Sequence, residues 1–127
     1  MSPYRVLVLS KNERKYVMSS ALHQDKQTGK RMILIQERFQ GGVAGMRVLS
    51  DKDIAHRNAG ARNAHILAYY ELVPSDSGKK YDVIDKNINN VDHGRVIHSN
   101  AYTIAEGMES AMHHYCRQND LEVIQVL

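Results

Sequence analysis

Apolar and polar residues alternate over much of this chain, and the alternation predicts strands. Arg5-Val6-Leu7-Val8-Leu9 is a short apolar run, expected as a strand buried on both faces. Tyr16 to His23 carries two periods at once. Val17 with Ala21 and Met18 with Leu22 suit a helix, but the turn residues Asp25 to Lys30 behind them favour a strand, which is preferred. Arg31 to Phe39, containing Met32-Ile33-Leu34-Ile35, reads as a central strand. In His65 to Val73, the residues Ile66, Ala68, Tyr70 and Leu72 share one face, and His65, Leu67, Tyr69, Glu71 and Val73 the other. Tyr69 and Tyr70 therefore point opposite ways, and an exposed tyrosine on a sheet can stack on a base. After the turn Pro74 to Lys79 the pattern predicts a strand from Lys80 to Lys86, a loop from Asn87 to Gly94, and a short strand from Arg95 to His98.

The periodicity then changes. Ile104, Met108, Ala111, Met112 and Tyr115 form one stripe, with Glu106, Glu109, His113 and Arg117 opposite, which predicts a helix from about Asn100 to Gln118 capped by Ser99. Leu121 to Leu127 alternates partly and is expected to rejoin the sheet.

A similar plan occurs earlier. The turn ending in Gly29-Lys30, the strand from Arg31, the loop Gln40 to Gly45, Arg47-Val48-Leu49 and Ser50 match the later Gly78-Lys79, Arg95-Val96 and Ser99 at offsets of 49, 48 and 49. Such a constant offset points to a duplicated strand-strand-strand-helix unit, with pseudo-repeats over about 4–63 and 64–127. Ser50 and Asp53 would open the first helix, which shows His56, Arg57 and Arg62 beside a thin stripe of Ile54, Asn58 and Ala61. The loop with Gly41, Gly42 and Gly45 runs into a strand and lacks a phosphate-binding fingerprint. The expected fold is thus α+β: a largely antiparallel sheet with two helices and an internal βββα pseudo-duplication, in one compact domain over 1–127.

Charge adds what the pattern cannot. The net charge is only +3. Residues 1–63 nevertheless hold 12 Lys or Arg against 5 Asp or Glu, a net +7, and residues 64–127 hold 5 against 9, a net −4. A basic half attracts phosphates or acidic protein surfaces, and the acidic half could attract the basic half of another copy, so a homo-oligomer is expected. No apolar run approaches the roughly 20 residues of a membrane span, and the start does not read as a secretory signal. A single cysteine, Cys116, leaves no internal disulfide and fits a reducing, cytoplasmic setting.

The seven histidines invite metal or acid–base chemistry. Asp92, His93 and His98 lie close in sequence, but nothing fixes convergence of three or four ligands, and adjacent His113 and His114 diverge on a helix. His56 with His98 could act as a base and an acid, yet no oxyanion donor accompanies them. Cys116 reads as a small packed side chain rather than a nucleophile. No catalytic residue, cofactor or metal is therefore expected.

Gly78-Lys79, Gly94-Arg95-Val96 and Tyr102-Thr103 through Ala111 resemble in outline plant AP2-type and integrase arm-type DNA-binding modules. Ala55 to Ala61 resembles the last helix of double-stranded RNA-binding domains. Each covers about a third of the chain, and the strand cations of those families are largely missing from the second copy. The resemblance implies contact with nucleic acid. The leading expectation is non-enzymatic binding of a phosphate-rich partner, nucleic acid first, through Arg31, Arg38, Arg47, Lys52, Arg57 and Arg62. The alternatives are a small protein-binding inhibitor or adaptor of phage or mobile-element type, and a binder or hydrolase of a nucleotide-like ligand.

Overall fold

The structure is a computed structural model that describes residues 2–38 and 64–127. Its strands are β1 (Tyr4–Leu9), β2 (Lys15–Gln24), β3 (Arg31–Arg38), β4 (Ala64–Pro74), β5 (Tyr81–Asp85), β6 (Val96–Ala101) and β7 (Glu122–Val126), with a helix, α1 (Ile104–Gln118), between β6 and β7. They form one sheet in the order β6-β5-β4-β3-β2-β1-β7, and each pairing is antiparallel. Six strands follow one another as a meander, and the seventh comes back beside the first.

The sheet is bent into a half-barrel around α1, which touches all seven strands. Its concave face supplies Val6, Val8, Met18, Ile33, Ile35, Ala68, Tyr70, Leu72 and Val83 to the core. The helix answers with Met108, Ala111, Met112 and Cys116. Burial on this scale is the main favourable contribution to the fold. Gly107 lets the helix approach closely: a Cβ there would lie 2.7 Å from Leu72 Cδ1 and 3.4 Å from Val83 Cγ2.

This arrangement corrects the expected fold class. Among the described residues there is one helix, and the strands make a continuous sheet rather than two βββα units. The physical reason lies in β3, which pairs along its whole length with both β2 and β4 and so fuses the two supposed copies. The expected loop 40–45, the strand 47–49, the Ser50 cap and the helix after it lie outside the described residues.

Smaller corrections follow from local chemistry. Thr103, not Ser99, caps α1: its side chain accepts from the Glu106 amide at 3.0 Å, while β6 runs on through Ser99 to Ala101. The Glu106 carboxylate in turn accepts from the Tyr102 amide. β1 is buried on one face only, with Val6 and Val8 inside and Arg5 exposed. A bulge between Ile35 and Gln36 brings Ala68 opposite Ile35 but Ile66 opposite Gln36, so Ile66 leaves the face it was expected to share with Ala68. Tyr70 is fully buried and Tyr69 is 44% exposed, so the two do point opposite ways. No described helix is long and apolar enough to cross a membrane.

Candidate functional site

Two hairpin turns, β2–β3 and β4–β5, project from the same end of the sheet, because Arg31 on β3 lies opposite Leu72 on β4. They are built alike. In the first, the Asp25 amide donates to the Lys30 carbonyl at 2.8 Å, and the Gly29 amide donates to Asp25 at 2.9 Å. In the second, the Ser75 amide donates to the Lys80 carbonyl at 2.8 Å, and the Gly78 amide donates to Ser75 at 2.8 Å. Gly29 and Gly78 have φ of +74° and +70°, a conformation most side chains resist. The lysine after each glycine then donates its amide to the hydroxyl two residues back, Lys30 to Thr28 and Lys79 to Ser77, both at 3.3 Å. The two turns close over the same number of residues, but their Gly-Lys pairs stand one place apart: Gly29 is fifth in its turn and Gly78 fourth, bonding back four and three residues.

These turns gather cations. Lys26, Lys30 and Lys79 are exposed, with Lys80 and Arg31 half-buried behind them. Among the described residues none of the five makes an ion pair, in contrast to Lys11 with Asp120, Arg14 with Glu37, and Lys86 with Glu71. Aromatic rings lie between the cations. The Arg31 guanidinium is 5.9 Å from the Tyr81 ring centre, and the Lys80 ammonium is 4.5 Å from that of Tyr102. Tyr102 is 72% exposed and follows Ala101, the partner of Tyr81 at the end of β6.

The acids of this end are turned mostly toward backbone. Asp25 accepts from the Gln27 and Thr28 amides at 2.7 and 3.1 Å, and these bonds hold its carboxyl below the ordinary carboxylate range. Asp82 accepts from the Asn100 amide at 3.0 Å. Asp76 is exposed at the tip of the second turn.

Of the six cations expected from sequence, Arg31 lies at this end. Arg38 stands at the opposite end of β3, about 23 Å away for seven residues of strand. Arg47, Lys52, Arg57 and Arg62 lie outside the described residues. The structure therefore does not bring Arg31 and Arg38 together, because one strand separates them. Lys26, Lys30, Lys79 and Lys80 were missed as site residues; the two Gly-Lys pairs were the signal that could have found them.

Three of the seven histidines, His98, His113 and His114, stand in two places of chemical interest. Asp85, Asp92 and His114 have ligand-type atoms within 4.8 Å of one another, and could hold an ion by type. Here they are engaged by neighbours. His114 Nδ1 meets the Tyr70 hydroxyl at 2.7 Å and its Nε2 meets Asp92 at 2.9 Å, while Asp85 accepts from the Asn87 amide and from the side chains of Asn87 and Asn90. The cluster ties the loop after β5 to α1. On the open side of the half-barrel, His98, Glu106, Glu109, Ser110, His113 and Arg117 line a groove of about 370 Å³ with Ile97. Each imidazole there has its own neighbour, Glu106 at 3.9 Å for His98, and Tyr4 at 3.1 Å for His113. His56, the imagined partner of His98, lies outside the described residues. Cys116 is buried, and burial pushes its thiol up to about 11, which disfavours a nucleophilic role.

No protein-family model, curated protein or solved structure gives a match to this chain.

Proposed function

We propose that this protein binds a phosphate-rich partner, nucleic acid, without catalysing a reaction on it, and that the end of the sheet carrying the two Gly-Lys turns is where it does so. One observation carries the reading: five cations that form no ion pair among the described residues stand on adjacent hairpins at a single end, interleaved with tyrosine rings, and Asp25 feels the charge of one of them, Lys30. Lysine ammonium and arginine guanidinium groups suit phosphate oxygens, and rigid turns fix where they stand. Arg31 belongs to both the sequence-based set and this surface. Arg47, Lys52, Arg57 and Arg62 add positive charge to the same half of the chain and are included on charge alone.

Fluorescence anisotropy with labelled oligonucleotides tests this. Binding should weaken steeply with salt; four single-strand phosphate contacts correspond to a loss of about 50-fold between 50 and 200 mM. Replacing Lys26, Lys30, Lys79 and Lys80 together by alanine should abolish most of the affinity while leaving the melting temperature nearly unchanged, since all four lie on turns. Absence of binding to any DNA or RNA, or binding indifferent to salt, would remove the proposal.

The same cations would also suit an acidic protein surface. Recovery of one stoichiometric protein after nuclease treatment of the native protein would move the assignment there.

A further inference from the structure

We infer that the nucleic acid is taken as an unpaired strand, with a base stacked on Tyr102; this rests on the nucleic-acid reading of the turn end. The observation is the ring itself. Tyr102 is 72% exposed, and nothing in the fold's core needs it. Its backbone is nevertheless fixed from two sides. The Glu106 carboxylate accepts from its backbone amide, and the next residue, Thr103, caps α1. Lys80 then places its ammonium 4.5 Å from the ring centre. Lys80 covers one face of the exposed ring and leaves the other for a base, so a stacking surface and a phosphate contact lie within one step of each other.

The layout favours one strand over two. From Arg31 on β3, past Tyr81 on β5, to Tyr102 at the end of β6, cations and rings follow one row along the end of the sheet. The row crosses three strand spacings, about 14 Å. A single row can follow a single backbone. A duplex keeps its bases stacked within itself and would give the exposed ring no base to meet. Asp82 accepts from the Asn100 amide and Glu106 from the Tyr102 amide, which holds both carboxylates against the backbone. These bonds leave their charge in place, so the phosphate contact falls to Lys80.

The chain has no tryptophan, so Tyr102→Trp supplies a lone indole reporter. The test compares a 12-nucleotide single strand with the duplex of the same sequence, at one salt concentration. The single strand should bind more tightly and should quench the Tyr102→Trp emission. Tyr102→Ala should lose about tenfold or more in single-strand affinity, the usual scale for one stacked base, and Tyr102→Phe should retain it. Thermal melting of each variant checks that the fold is intact. Equal affinity for both forms, with Tyr102→Ala unchanged, would overturn the stacking inference and leave phosphate binding standing. Failure of the unaltered protein to bind either form would overturn both.

Discussion

The Tyr70 hydroxyl lies 2.7 Å from Nδ1 of His114, across the interface between the sheet and the helix. Both residues are buried. Burial first, and then the charge of Asp85, hold the Tyr70 hydroxyl well above its ordinary pKa, so it keeps its proton. A consistent network follows: Tyr70 donates to Nδ1, and Nε2–H donates to Asp92 at 2.9 Å. Gln118 donates to the same Asp92 oxygen at 3.1 Å.

Tyr70→Phe should therefore leave a buried imidazole nitrogen unsatisfied and cost about 1–3 kcal/mol. Urea denaturation measures it. Asp92→Asn should also destabilise, and the two together should cost less than their sum, because both act through His114. A Tyr70→Phe protein as stable as the parent would show that the bond contributes nothing net.

Alkaline pH should unfold the protein early. Burial pushes Tyr115 up to about 12 and Cys116 up to about 11, and Tyr16 and Tyr4 also rise, with desolvation as the largest cause in each case. A raised folded-state pKa means that the unfolded chain loses these protons first. The stability they contribute is whole below the ordinary values, near pH 9 for the thiol and 10 for the phenols. It declines as pH climbs through 11 and 12. The melting temperature should fall across that window, and Tyr115→Phe should soften the fall. A flat profile to pH 12 would contradict the burial.

Gly107 gives a steric test. Alanine adds a Cβ whose closest neighbour, Leu72 Cδ1 at 2.7 Å, is the tip of a flexible side chain, and the helix gains about 1 kcal/mol of propensity. Gly107→Ala should be near neutral. Gly107→Val adds methyl groups against Leu72 and Val83 and should cost about 1–3 kcal/mol by overpacking. Equal stabilities for the two variants would mean that the helix stands farther from the sheet.

Asp76, exposed at the tip of the second turn, opposes any phosphate arriving there. Asp76→Asn should raise oligonucleotide affinity about two- to fivefold at 50 mM salt, with the gain fading as salt screens the charge. Unchanged affinity at low salt would place the contact away from the β4–β5 turn.

Most strands were legible because one face of each is apolar. β2 was the instructive case: helical spacing of Val17 with Ala21 competed with the turn at Gly29, and the turn was the truer guide. The bulge at Ile35/Gln36 was invisible, since an inserted residue leaves the alternation of letters intact while reversing what it means in space. Ser99 looked like a cap because serine suits one, but Thr103 has a glutamate three residues later and the free amide in reach. The duplication was misjudged for a different reason. Similar turns say how two hairpins begin, not whether their strands are partitioned between modules, and β3 belongs to both neighbours. The buried Tyr70–His114–Asp92 chain joins residues far apart in the sequence, and no local pattern announces it.

The pairing of β7 with β1 sets Val6 beside Val126, residues separated by nearly the entire length of the polypeptide. Loop closure makes such a seam the slowest part of the sheet to zip, whereas each turn of the meander needs only its neighbour. Amide deuteration should accordingly reach β7 before it reaches β3, and refolding should close this last join after the hairpins are already in place.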